Sequence, residues 1–432
     1  MTEFKTVRGM RDFLPQEAKM MRYIEGETRK IAELYGYKEI ITPVVESYEL
    51  LAAKAGEEVR LRMYAFQDLG KRRVALRPEF TPSVARLVAT ILRNEPKPFR
   101  LFCVGSLYRY DEPQQGRYRE FWQSDFELMG SDKPEADAEI IMLTNSLMEA
   151  AGLKNCTFKV GHVGVLRGVM SQENLSEKVQ NEAMQLMDKA QYDEALKLVE
   201  ETGTSEKCLA TLRKLVRLKG GKVFEVIEKM RNSIKEYEES VAAVDNLQEI
   251  LKLVLDSECK IDMAVDAGFA RGLEYYTGVI FEVAVPELEK ALAGGGRYDK
   301  LIALFGGAST PAVGVAHRID RIMLALQLQK ATVKVREEKT VMVIPVNEEL
   351  KSEALRISRI LRDADIPAEV EVTGRKVAKA LEDADRREID YAIIVGEKEL
   401  KEKAVAVRDL AKRKQEIVKI ERIADTIRSK GI

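Results

Sequence analysis

Between Arg109 and Glu127 the chain alternates residue types as a strand with one chemical face would. Arg117, Arg119, Phe121, Gln123, Asp125 and Glu127 fall at every second position, and side chains two apart on a strand share a face. Arg109 closes the β-rich run that precedes them. The segment Asp111-Glu112-Pro113-Gln114-Gln115-Gly116 has the turn composition to join Arg100–Tyr110 and Arg117–Met129 as a long hairpin. Planar guanidinium forks suit phosphate and carboxylate oxygens. Phe121 suits stacking on a base, and Gln123 and Glu127 suit a small polar substrate. The same alternation fits a solvated face laced with cross-strand ion pairs, and periodicity does not choose between the two.

Four further clusters put polar groups at breaks in the pattern. In Arg77-Pro78-Glu79-Phe80-Thr81-Pro82, Glu79 offers a carboxylate to an ammonium group, while Thr81 and Pro82 equally read as the cap and first position of a helix. In Arg271-Gly272-Leu273-Glu274-Tyr275-Tyr276-Thr277-Gly278, glycines on both sides permit close backbone approach; an arginine with two tyrosines fits a ligand site or an exposed turn. Gly294-Gly295-Gly296-Arg297-Tyr298-Asp299 resembles a phosphate cradle, but no Gly-Lys-Ser/Thr follows, so it is not a Walker loop. A flexible or tight connection is expected there. Gly314–Arg321 reads as a strand (Ala312–Ala316) entering a helix at about His317. Arg321 then sits near a helix start, to meet phosphate or to pair with Asp320 at the surface.

The elements that must position these groups follow from the same pattern. Residues 16–35 read as an amphipathic helix ending at Gly36, residues 38–45 as a strand containing Pro43, and residues 135–151 as a helix stopped by Gly152. From about 172 to 258 the period is helical throughout, as in an inserted helical domain. Strand character returns at Lys260–Asp266 and Val279–Val285. The charged stretch Lys334–Lys339 reads as a linker. Strand (Thr340–Val346), helix (348–363), strand (Ala368–Val372), helix (375–386) and strand (Tyr391–Gly396) follow, the alternation of a separate α/β domain.

Composition narrows the chemistry. Seventy Lys+Arg against 71 Asp+Glu give a net charge of -1, so an RNA partner must be held by local patches. Two histidines, His162 and His317, leave little room for histidine-based catalysis or metal ligation. The four cysteines are scattered without a Cys-x-x-Cys pair, which argues against zinc and disulfides and for a reducing cytoplasm. No apolar run long enough for a membrane span and no signal sequence are apparent, so neither a membrane nor export is expected.

Taken in order along the chain, the clusters resemble the class II aminoacyl-tRNA synthetases, and their spacing matches the histidyl branch over essentially the whole length. Gly36–Pro43 is similar to motif 1, Arg109–Glu127 to motif 2 and Gly314–Arg321 to motif 3. Arg271–Tyr276 and Gly295–Asp299 resemble the two histidine-specific motifs. The resemblance implies an α+β fold: an antiparallel sheet core flanked by helices (1–171 and 259–333), a helical insertion near the tRNA acceptor stem (172–258), and a C-terminal α/β anticodon-binding domain (334–432). It implies a homodimer built on motif 1, with ATP, Mg²⁺, histidine and tRNA(His) as ligands and no resident metal.

It also implies roles. Arg109 would bridge the α-phosphate and the histidine carboxylate, and Arg271 would neutralise charge opposite that phosphate. Arg117 would meet the γ-phosphate side, Phe121 would stack on adenine, and Arg321 would hold phosphates. Glu79, Thr81 and Gln123 would bind the α-ammonium, and Glu127 and Tyr276 the imidazole nitrogens. Tyr275 and Tyr298 would line the same pocket. Departures from the pattern fall at Phe80, Glu274, His317-Arg318 and Asp320, and in the loop at Asp111–Gln114. A catalytically silent regulatory paralogue of histidine biosynthesis is the alternative; it usually lacks the last domain and parts of the histidine motifs. A synthetase of another specificity and a plain RNA-binding protein fit the segments less well.

Overall fold

The computed structural model describes residues 4–53, 55–333 and 340–430; the stretch expected as a linker, Lys334–Lys339, lies outside the described residues. The chain divides into two compact units, Met1–Val333 and Lys334–Ile432.

The first unit is built on a nine-stranded sheet. In chain order the strands are β1 Lys38–Glu39, β2 Phe99–Tyr108, β3 Glu120–Met129, β4 Thr157–His162, β5 Lys219–Gly220, β6 Asp262–Asp266, β7 Val279–Val285, β8 Leu288–Arg297 and β9 Ala312–Arg318. Across the sheet they run β1-β2-β3-β9-β8-β7-β4-β6-β5. Every pair from β2 through β4 is antiparallel. The helices of this unit include α1 Pro15–Leu34, α2 Thr81–Thr90, α3 Pro134–Ala151, α4 Glu238–Asp256 and α5 Ile319–Leu328.

Helix α1 carries a proline in its first turn, where the missing N–H costs nothing, and buries Met21, Ile24 and Ile31 at helical spacing. Helix α3 stops where Gly152 takes a left-handed φ of 93° that a β-carbon would oppose. On β3 the two faces differ. Phe126 points into the core against the rings of Phe102, Tyr37 and His317, with centroids 5.3–5.5 Å away, while Phe121, Gln123, Asp125 and Glu127 point the other way.

Several expectations change. The strand expected over 38–45 ends at Glu39: Ile40 makes one more bond to Phe102, then Pro43, which has no N–H to give, marks where the chain leaves the edge. Val45–Ser47 pairs elsewhere, in a three-stranded sheet. Gly294–Gly296 are no connection but the middle of β8, paired on both sides. The last helix of the first unit starts at Ile319, so His317 and Arg318 belong to β9. Residues 172–258, expected to be helical throughout, are interrupted by β5, which pairs with β6 at the sheet edge, and they do not enclose a core of their own among the described residues. Met184, Leu212, Val226 and Leu247 share one continuous cluster with Phe158 and Phe281 of the sheet.

In the second unit, β10 Val341–Pro345, β11 Ala368–Val370, β12 Tyr391–Val395, β13 Ala404–Asp409 and β14 Lys414–Lys419 form a sheet of order β11-β10-β12-β13-β14. The pairs joining β11, β10 and β12 are parallel, as βαβ crossovers require; the hairpin β13–β14 completes the sheet antiparallel.

Candidate active site

The site is a cleft of about 550 Å³ over the centre of the first sheet. It exists because the sheet is nearly bare there. Residues directly opposite on neighbouring strands share a face. One row across the sheet reads Glu127, Gly314, Gly296, Ile280; the next reads Asp125, Ala316, Gly294, Glu282. Glycine and alanine at the centre leave a floor almost without side chains, and the larger Glu127, Asp125 and Glu282 at the sides become walls. The glycines are required by contact: a β-carbon on Gly314 would stand 1.8 Å from a Glu127 carboxylate oxygen, and one on Gly294 would stand 2.2 Å from an Arg271 Nη.

One end of the cleft is cationic. Arg109 donates from Nε to the carbonyl of Pro78 at 2.9 Å. Arg321 donates to the carbonyls of Gly116 and Ala291 at 2.9 and 2.7 Å rather than pairing with Asp320. Burial lowers the pKa of Arg321 to about 9, helped by Arg318, Arg109 and Arg117 close by. Arg271 lies against Gly294 with Glu282 at 3.8 Å, and its Nε is buried without a partner. Burial opposes its charge, yet Tyr276, Glu282 and Asp188 outweigh burial and hold its pKa above the ordinary value.

The other end is made of acceptors. Glu127 is fully enclosed; Thr81 Oγ1 donates to one of its oxygens at 2.7 Å and the Tyr298 hydroxyl to the other. Burial raises its pKa to about 8 despite those two bonds. The hydroxyl of Tyr275 donates to Glu79 at 3.0 Å, and burial raises Glu79 as well. Thr81 caps no helix; its hydroxyl is spent on Glu127. The face of β3 is therefore a buried wall, not a solvated one: Gln123, Asp125 and Glu127 are each 6% exposed or less.

The cleft brings together Arg109, Arg271 and Arg321 with Glu79, Thr81, Gln123, Glu127, Tyr275, Tyr276 and Tyr298. It leaves two expected residues outside its lining. Arg117 is held by both oxygens of Asp111, at 2.9 and 3.0 Å. Phe121 is 1% exposed, with the Arg318 guanidinium 3.7 Å over its ring. Arg119, on the same expected face, turns away to the Asp111 carbonyl and stacks on Tyr110 at 3.6 Å; the strand begins only at Glu120, so alternation does not reach back to it. Reading the sequence missed Arg62 and Arg318, which line the cleft. Arg318 was visible only as a departure from motif 3; Arg62 gave no signal.

A second hollow of about 800 Å³ lies behind Tyr275 and Tyr276, between His162, Arg167 and Ala243. It does not join a cationic wall to an acceptor floor as the central cleft does. Among the described residues no three His, Cys, Asp or Glu side chains are grouped to hold a metal ion, and no helix is long and apolar enough to cross a membrane.

Comparison with known proteins agrees with this geometry. The family model described as histidyl-tRNA synthetase matches residues 9–322, and that described as anticodon binding domain matches 340–430. A histidine–tRNA ligase of Methanocaldococcus jannaschii is 41% identical over 425 residues, 98% of this chain and 99% of the relative. One from Saccharolobus islandicus is 40% identical over 433 residues, 99% of each. The crystal structure of histidyl-tRNA synthetase from Nostoc sp. PCC 7120 superposes with a TM-score of 0.78 over 100% of both chains at 24% identity, a likeness of fold. The α+β fold with an antiparallel sheet core is the one these structures share, and the chain belongs to the histidyl-tRNA synthetase family.

Proposed function

We propose that the chain is an ATP-dependent histidine–tRNA ligase that forms histidyl-adenylate and then esterifies the 3′ end of tRNA(His). The observation that carries this reading is one cleft with arginines at one end and carboxylates with tyrosines at the other. In activation the histidine carboxylate oxygen bonds to the α-phosphorus of ATP, and the bond from that phosphorus to pyrophosphate breaks. In transfer a ribose hydroxyl of the tRNA takes the carbonyl carbon, and AMP leaves. The substrates supply both nucleophiles, so the protein's task is alignment and charge stabilisation.

Arg109 bridges the α-phosphate and the histidine carboxylate, and Arg271 faces the charge that builds on the phosphate oxygens. Arg321 holds the phosphates. Arg117 shares Asp111 with Arg62 of the cleft wall and is assigned to the γ-phosphate end. Adenine reaches the ring of Phe121 only by displacing Arg318 from it. Glu79 and Gln123 take the α-ammonium, with Thr81 beside them, its hydrogen committed to Glu127. Glu127 and Tyr276 read the imidazole nitrogens, and Tyr275 and Tyr298 close the pocket. A pocket built to hydrogen-bond a polar side chain rejects analogues lacking it by about 10⁴–10⁵, which makes a separate editing site unnecessary. ATP arrives as its Mg²⁺ complex, the ion coming with the substrate.

Residues 1–171 and 259–333 form the catalytic core, 172–258 the helical insertion at the acceptor stem, and 334–432 the anticodon-binding domain. Ile41 of motif 1, 93% exposed, with the exposed Val44 and Val45 just after the motif, supports a homodimer. The enzyme works in the cytoplasm.

The test is ATP–pyrophosphate exchange with each of the twenty amino acids, without tRNA. Exchange that depends on histidine alone is expected. Exchange with another amino acid would overturn the pocket assignment. None with any, from folded protein, would favour a silent regulatory paralogue.

A further inference from the structure

Asp125 stands in the middle of the cleft's acceptor wall with no role so far. It follows Gln123 by two residues on β3 and precedes Glu127 by two, so all three share a face. It is 2% exposed, and its Oδ1 is buried without a hydrogen-bond partner. Across the ladder its neighbours are Cys103 and Ala316, a thiol and a methyl group. Native proteins rarely bury a carboxylate oxygen unpaired, because the desolvation is uncompensated.

The cleft repeats this feature. Oε1 of Glu79 and Oε1 of Gln123 are also buried without partners. Three orphaned acceptors therefore line one cavity. Thr81 is not among them, because its hydroxyl has a partner in Glu127, though as a donor there it keeps its lone pairs. A protonated primary amine carries three N–H donors and one positive charge. That is the ligand group for which three acceptors in one cavity, two of them carboxylates, are compensated in number and in sign. Resting on the reading above, we propose that Asp125 binds the α-ammonium group of the amino-acid substrate as a further acceptor, beside Glu79 and Gln123.

The electrostatics of the empty cleft agree. Burial, with the Glu127 and Glu79 carboxylates nearby, pushes Asp125 well above the ordinary carboxylate range. A bound cation relieves what burial has imposed. In the empty protein the group is a liability to the fold, as binding groups held ready for a ligand are.

The test separates the amine from the rest of the substrate. Binding of histidine, of histidinol (amine kept, carboxylate lost) and of imidazolepropionate (amine lost, carboxylate kept) is measured by calorimetry on the full chain. The wild type is compared with Asp125→Ala and Asp125→Asn. Asp125→Ala is expected to weaken histidine and histidinol by roughly 10–100-fold, the worth of one charge-assisted hydrogen bond, and to leave imidazolepropionate unchanged. Asp125→Asn, which keeps an acceptor oxygen, is expected to recover part of the loss. Neither variant should lower the unfolding temperature of the empty protein, because an uncompensated buried carboxyl has been removed. Equal weakening of histidinol and imidazolepropionate, or no weakening of either, overturns the proposal; so does a drop in unfolding temperature that accounts for the loss. A wild type that binds no histidine overturns the reading on which the proposal rests.

Discussion

The two ends of the cleft face the same problem with opposite signs. At one end Arg109, Arg271, Arg318 and Arg321 are gathered, with Glu282 beside Arg271 and Asp320 beside Arg318; at the other, Glu79, Asp125 and Glu127 are buried with few donors. The arginine end keeps its charge: even Arg321, crowded by three other guanidinium groups, is lowered only to about 9. The carboxylate end yields instead, with Glu127 raised to about 8. Guanidinium is delocalised and weakly hydrated, so it survives burial charged, whereas a carboxylate sheds its charge by taking a proton. The difference marks where each substrate group goes. Phosphates meet charge that is already present; the amino acid meets acceptors whose charge its own ammonium restores.

The comparison breaks most sharply at Arg271. Arg271→Ala should fold normally and cut histidine-dependent pyrophosphate exchange by about 10²–10³, the cost of removing one group that stabilises charge in a transition state. Near-full exchange in that variant would remove Arg271 from the charge-stabilising set.

Two glycines strike the ends one at a time. Gly314→Ala drives a methyl group into Glu127 and should raise KM for histidine by at least about 10-fold, with KM for ATP little changed, as misplacement of a pocket group does. Gly294→Ala drives one into Arg271 and should lower kcat instead. If both variants change the same constant, the two ends do not work separately.

The smallest effect is one of pH. A carboxyl whose folded pKa is raised binds a proton in the folded state that the unfolded state has lost, so it contributes less stability as pH rises between the two values. For Glu127 that window runs from the ordinary glutamate value of 4.5 to about 8. The buried histidines, His162 at about 4 and His317 at about 3, act in the opposite sense, but only below their unfolded value of 6.5. The unfolding temperature of the empty protein should therefore fall between about pH 6.5 and 8, and Glu127→Gln should flatten that slope. A slope that persists in the variant would place the titration elsewhere.

Much of this was legible in the residues. The alternation on Gln123, Asp125 and Glu127, the hairpin around Asp111–Gly116 and the helical run of 172–258 all follow from local period, which the backbone obeys whatever surrounds it. The three glycines 294–296 misled because glycine in isolation reads as flexibility. Only the neighbouring strands reveal that it is there for lack of a side chain. Phe121 and Arg117 illustrate the same limit from the other side. Their types suit a nucleotide, but whether Arg318 covers one and Asp111 holds the other depends on residues far away in sequence.

The sequence by itself determined the element types, the two-unit order and the inventory of arginines, carboxylates and tyrosines, because propensity and period are local properties. The tertiary structure decided which of those groups meet, which lie under a partner and which acceptors are left without one. Those outcomes depend on strand register and burial, and both come into being only when distant segments pack.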